Sequence, residues 1–555
     1  MQIRWIIYGF GAAAMVFAAS PDHRLADAVQ RGDRQFLEAL LAAKADVNGA
    51  QGDGMTALHW AAASDDLETA RLLIAAGADV KAATRVEGNT PLMIAATTGD
   101  ARLLETLLEA GADPNAGNAL GTTALMKAAS SGSVPAVEAL LARGAGPDAR
   151  ESAHGHTALM FAAADDRGPA IKALIGNGAS AELATSVEQL DKPSVDEDGN
   201  PLPKERAGRA RGEGNPAFVA AMARRASANK IGGLTALLIA ARQGYLSAVE
   251  ALVESGADVK HSSGADSTPP IVMAIINGHF DVAKYLLEQG ADPNQVTADG
   301  LAPLYAVEDT QFAPVGWSPN PVTDQEKTSY LDLIKELLGR GADPNARLTH
   351  KLWFRPNNHD QLWIGTAGST AFWRAAQATD LKVMRLLVEH GADPKIPSAE
   401  GTTALGVASG LGWAGNFSIN APDTPLEVGR YCLDLGIDPN VRDAQGYTAV
   451  MGAAYRGENE LVKLLVAKGA RLDAKTGRGW TVTDMANGPA LRTSVPVAHP
   501  DTVALLLSMG ASPLTAVEGE EILGIIRKRI PPKPETPESD PQPAPITPQP
   551  PATVK

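Results

Sequence analysis

A single cysteine, Cys432, serves all 555 residues, and that scarcity excludes an intramolecular disulfide, a paired-thiol redox site and a cysteine metal cluster. Aromatics are almost as sparse, 5% of the chain against 45% hydrophobic residues overall, so small side chains must do much of the packing. Basic residues are outnumbered, 49 Lys and Arg against 64 Asp and Glu, for a net charge of −15. Nucleic-acid affinity rests largely on Lys and Arg, so this balance disfavours a nucleic-acid partner. There is no HExxH pair, no serine-hydrolase pattern and no phosphate or dinucleotide loop. The many glycines close helices and do not open helices after strands, which is the context a phosphate cradle requires. No enzymatic activity, cofactor or metal is expected from these patterns.

What the chain does have is a cassette that returns about every 33 residues. A threonine opens each cassette at Thr56, Thr90, Thr123, Thr157, Thr235, Thr370, Thr403, Thr448 and Thr481, with Thr268 displaced by one and Ala302 replacing the hydroxyl. Each is followed by a run such as Ala57 to Ala62 or Pro91 to Ala96. Threonine is a good N-cap and Pro91 suits the first helical position, where its missing N–H costs nothing. A second helix ends at Gly77, Gly111, Gly144, Gly178, Gly256, Gly290, Gly341, Gly391, Gly436, Gly469 and Gly510, with apolar residues three and four positions earlier, as in Leu73 and Ile74. That spacing is one stripe of an α-helix, and a terminal glycine closes it in the left-handed region. Lys44 holds the closing position in the first unit, where a non-glycine costs about 1 kcal/mol. One such unit cannot bury its own apolar face, so the units must stack.

Thr56-Ala-Leu-His-Trp-Ala-Ala, Asn277-Gly-His-Phe and Gly111-Ala-Asp-Pro-Asn together resemble ankyrin repeats, over about twelve units from Asp22 to Pro513. The resemblance implies an all-α repeat solenoid of helix-turn-helix units joined by hairpin-like fingers, with a partner protein or peptide bound on the concave side. It also implies that His59 and His279 are structural. The first unit, Ala302 and the last unit, 479–513, depart from the pattern.

Residues 1–20 carry Arg4, an apolar run from Trp5 to Phe17 and a small-residue end, which reads as a signal peptide and predicts a periplasmic or secreted protein. An uncleaved anchor is the alternative, and the only membrane association expected. The repeats then run over 21–182, a polar insertion over 183–230 reads as a flexible loop, and repeats resume over 231–513 with shorter insertions at 309–327, 346–367, 410–424 and 487–499. Residues 514–530 read as a C-terminal helix or cap, and 531–555 as a disordered Pro-rich tail. A monomer is expected.

Residues after the Ala pairs and on the fingers form the expected contact surface: Thr97, Thr98, Arg242, Gln243, Gln377, Tyr455 and Arg456, with Arg85 and Glu87 on a finger. Trp317, Trp353, Trp363 and Trp413 fall in insertions, where large amphipathic rings serve either as binding anchors or as local core, while Trp373 belongs to a helix. Carbohydrate or cell-wall binding through these loops is the second reading, and an enzyme site built by the loops a third. Asp196 to Asn200 resembles the start of a calcium loop, but Pro201 and Pro203 precede Glu205, so a polar turn is preferred. His154 and His156 bracket Gly155 without a third ligand at a suitable spacing. Cys432 reads as inert core.

Overall fold

The computed structural model describes residues 22–189, 230–313, 321–350, 352, 364–413, 418–489, 491 and 497–514. Among them twelve helix pairs follow one another, from α1 (Arg24–Gln30) and α2 (Arg34–Ala42) to α23 (Val482–Ala486) and α24 (Pro500–Ser508), so that odd labels are first helices and even labels second helices. First helices pack on neighbouring first helices without a break along residues 22–513. One apolar core accordingly runs from Leu25 to Ala511. Of the residues from 514 onward only Leu514 is described. No helix of the described residues is long and apolar enough to cross a membrane.

Local chemistry explains why each unit forms. In α3 (Ala57–Ala63), α5 (Pro91–Thr98), α7 (Ala124–Ser131) and α9 (Ala158–Ala164) the preceding threonine hydroxyl accepts the backbone N–H three residues on. Such a cap contributes about 1 kcal/mol. Not every opening has this cap: Thr448 lacks it against expectation and Ala302 as expected. Thr448 precedes α21 (Ala449–Arg456) without a side-chain cap bond, its buried hydroxyl finding no partner among the described residues, and Ala302 caps nothing with its methyl. Lys44 does adopt the left-handed conformation, at φ +56°.

Two ladders tie the units together. Asn115 Nδ2 donates to the Gly144 carbonyl at 2.9 Å while its Oδ1 accepts the Gly146 N–H at 2.8 Å, and Asn48, Asn294, Asn345 and Asn440 repeat the clamp. On the finger side, backbone bonds link successive tips, from Arg85 to Asp53 through Ala119 to Glu87 and on to Gly477 and Gln445. The insertion does not break this ladder. Its ends instead pair as an antiparallel hairpin, β1 (Val187–Gln189) with β2 (Lys230–Gly232), which corrects the expectation of a flexible loop at those residues. Residues 309–311, expected in an insertion, complete α15 (Pro303–Gln311), because Pro303 starts a helix that runs past the missing second alanine.

His59 shows why a histidine belongs in the first helix. Fully buried, it accepts the Thr56 N–H at Nδ1 (3.1 Å), which leaves the proton on Nε2 to donate to the Asn89 carbonyl of the next unit (3.1 Å). Burial holds its pKa below the usual histidine value, partly offset by that carbonyl. The unfolded chain therefore takes up the proton first, and the stability this group contributes, present above about pH 6.5, is lost as pH falls. Between pH 7.5 and 5.5 the urea midpoint of the native chain is expected to drop more than that of His59→Gln. Equal drops would contradict the assignment. His279 takes a different place, at the N-terminus of α14 (Phe280–Glu288) with its ring over Gly244, where a Cβ would lie 2.3 Å from Nδ1.

Candidate functional site

The ends of the first helices and the finger tips beside them carry most of the expected contact residues. Arg85 and Glu87 are exposed on a finger beside Val86, which is 80% exposed. Thr97 and Thr98 are exposed at the end of α5, although their hydroxyls already donate to the Met93 and Ala95 carbonyls. Arg242 and Gln243 are exposed at the end of α11 (Ala236–Gln243). Tyr455 is a correction. It is only 4% exposed, because the last turn of α21 rotates it into the core and leaves Arg456 on the groove side.

Arg242 lines an open cleft of about 290 Å³ with Lys230 and Ile231 of β2, Leu234 just after it, Met273 and Ile276 of α13 (Pro270–Ile276), and the Asn277 that caps that helix. The cleft is mostly apolar, with two cations on its rim and Asp266 on a finger.

The second cleft is much smaller, about 20 Å³, and joins three residues that lie far apart in the chain. Gln377 comes from α17 (Ala371–Ala378), Trp413 follows α19 (Ala404–Ser409), and Arg456 ends α21. Gly410, at φ +121°, makes the approach possible: a Cβ there would lie 2.7 Å from Arg456 Cδ and 2.8 Å from the Gly452 carbonyl. The guanidinium of Arg456, its side chain 10% exposed, then sits 4.9 Å from the centre of the Trp413 ring. The Gln377 amide nitrogen and the Asn420 amide oxygen, both buried beside the cleft, have no partner among the described residues.

Behind this cleft lies a buried charge cluster that the sequence analysis missed. Arg374 donates from Nε to Asp309 Oδ1 and from Nη2 to the Phe312 carbonyl, both at 2.8 Å, with the Arg374 and Asp309 side chains 4% and 2% exposed. Glu308 is fully buried, and neither of its carboxylate oxygens has a hydrogen-bond partner among the described residues. Burial, then the nearby Asp380, pushes its pKa well above the carboxylate range, against the pull of Arg374. Tyr330 donates to Asp380 at 2.8 Å. The available signal was Glu308 itself, standing where other units have the second alanine of the pair.

Trp317, Trp353 and Trp363 lie outside the described residues, as does the calcium-like segment 196–200. Trp413 has one face covered by Arg456, and Trp373 is fully buried in α17. Cys432 is fully buried and desolvation pushes its thiol pKa up. Arg374 and Arg456 line the second cleft with guanidinium pKa values lowered by burial, yet arginine does not give up its proton in proteins. Among the described lining residues there is no carboxylate, imidazole or thiol to serve as a general base.

Comparison with known proteins bears on the repeated architecture. Ankyrin repeats, in three copies, match residues 25–118, 99–185 and 209–297, and a single ankyrin repeat matches 445–477. The chain is 35% identical over 114 residues to a putative ankyrin repeat protein of Rickettsia felis, covering 20% of this chain and 46% of that one. It is 38% identical over 106 residues to Protein PhlB of Serratia liquefaciens, covering 17% and 47%. Over 88 residues it is 42% identical to the nuclear factor NF-kappa-B p105 subunit of Mus musculus, covering 16% and 9%. The matched stretches thus span less than half of each of these relatives.

Proposed function

The chain belongs to the ankyrin-repeat family, a fold of protein-interaction scaffolds, and from that premise we propose that it is a non-catalytic scaffold that binds a partner protein or peptide along its first-helix ends and fingers. The observation that carries this reading is the convergence of Gln377, Trp413 and Arg456 on one cleft although the repeats place them in three different units. A stacked, partly desolvated Trp–Arg pair, beside amide groups without a partner among the described residues, has the makings of an interface anchor, because a few buried aromatic and arginine residues carry most of the energy in such contacts. The Arg242 cleft adds an apolar subsite with a cationic rim. We further propose that residues 1–20 direct export and are removed. A mass for the native chain that still includes these residues would contradict that.

With chain 21–555 as bait against an envelope fraction, Trp413→Ala and Arg456→Ala are each expected to reduce retention of the captured partner about tenfold or more. Circular dichroism should stay unchanged. Full retention by both folded variants would remove this cleft from the interface.

A further inference from the structure

The finger at residues 151–157 differs from its neighbours in the side chains flanking its turn glycine. Gly155, at φ +76°, carries His154 before it and His156 after it. The same two places hold Leu120 and Thr122 around Gly121, and Gln445 and Tyr447 around Gly446. Spacing along the sequence offered no third ligand, but the turn folds one back. Glu151 lies under both imidazoles, with one ligand atom from each of Glu151, His154 and His156 within 4.8 Å of the others.

This triad is held in place by backbone. Glu151 Oε1 accepts the N–H groups of His154 (2.7 Å) and His156 (3.0 Å), and Oε2 accepts that of Ala153 (2.6 Å). The His154 carbonyl in turn accepts the Ser186 N–H of the next finger at 2.7 Å, so the tip is pinned from both sides. His156 Nδ1 sits 2.9 Å from Glu151 Oε1, and the His154 and His156 ring centres are 5.6 Å apart. Although burial alone would raise it, these donors hold the Glu151 carboxyl at about 2, so it is an anion at any physiological pH. Glu151 is buried, His156 is partly exposed and His154 is exposed, so the open side of the triad faces solvent.

We propose that Glu151, His154 and His156 form a binding site for a borderline divalent transition metal, of the class of Zn²⁺, Ni²⁺ or Cu²⁺. Two imidazoles and one carboxylate are the donor set such ions favour over calcium or magnesium. Ligand bonds of about 2.0–2.2 Å place neighbouring donors roughly 3.3 Å apart. The Glu151–His156 contact is already near that separation, and the exposed His154 side chain closes the remainder by rotation. The ion takes the place of the direct His156 Nδ1–Glu151 Oε1 contact, and its remaining coordination positions face outward on a finger tip. The nearby Arg150 guanidinium, which donates to the Ala184 carbonyl at 2.8 Å, lowers the affinity without supplying a ligand.

The test is calorimetric titration of the full chain, carrying no histidine tag and stripped with chelator, with ZnCl₂ at pH 7.5. One equivalent is expected to bind at pH 7.5. Binding should weaken at least tenfold in His154→Gln and in His156→Gln, with unchanged thermal unfolding of the metal-free chains. Absence of saturable binding would overturn the proposal. So would binding that survives the double variant, for instance at the His261–Glu182 pair, which His261→Gln would identify.

Discussion

Arg374→Met is expected to lower the stability of the array by about 3–5 kcal/mol, the cost of removing one partner of a buried ion pair. The substitution keeps most of the side-chain volume but removes the donors from Asp309 and the Phe312 carbonyl, in a pocket where Glu308 and Asp380 add further acidic groups. It should therefore cost far more than any surface arginine, such as Arg102, whose ion pair with Asp100 lies on an exposed guanidinium. Replacing both partners, as Arg374→Met with Asp309→Leu, is expected to recover part of the loss, because an apolar pair carries no desolvation cost. Urea unfolding of the two variants measures this, and an Arg374→Met loss below about 1 kcal/mol would mean that the cluster is not a structural charge pair.

Trp373→Ala has the second large effect, again about 3–5 kcal/mol. The indole is the largest fully buried side chain among the described residues, and its N–H donates to the Thr402 carbonyl of the next unit at 2.9 Å. Truncation opens a cavity in α17 and strands that carbonyl, so it weakens the joint between α17 and α19 as well as the unit itself. Trp373→Phe keeps most of the packing and should cost only about 1–2 kcal/mol, chiefly for the lost hydrogen bond. Similar losses for the two variants would show that the hydrogen bond, and not the volume, holds the joint.

The repeat was legible because its chemistry is local. Thr123 caps α7 and Gly144 closes α8 (Val134–Ala142) through contacts within a few residues, and those contacts recur with the period. The groove residues were legible where exposure follows from position in the unit, as for Thr97 and Arg242. Tyr455 and Arg456 show the limit. They are adjacent in sequence and both are largely covered, Tyr455 in the core and Arg456 against Trp413 beside the Gly410 turn, a contact between units that no local spacing reveals. The charge cluster was hidden for a related reason, since Arg374 and Asp309 meet across 65 positions of sequence and no spacing rule joins them. Glu151 escaped because it already has an evident task as the acid that organises its own turn, and only the fold shows both imidazoles closing over it.

The units bury one another only through their immediate neighbours, so stability should be lost and kept locally along the stack. Native-state hydrogen exchange on Trp373→Ala addresses this most directly. Amides of α17 and of the adjoining α15 and α19 are expected to exchange about 100-fold faster or more, while those of α3 through α9 keep their native rates. Equal acceleration from α1 to α24 would contradict this, because that is the response of a single globular core.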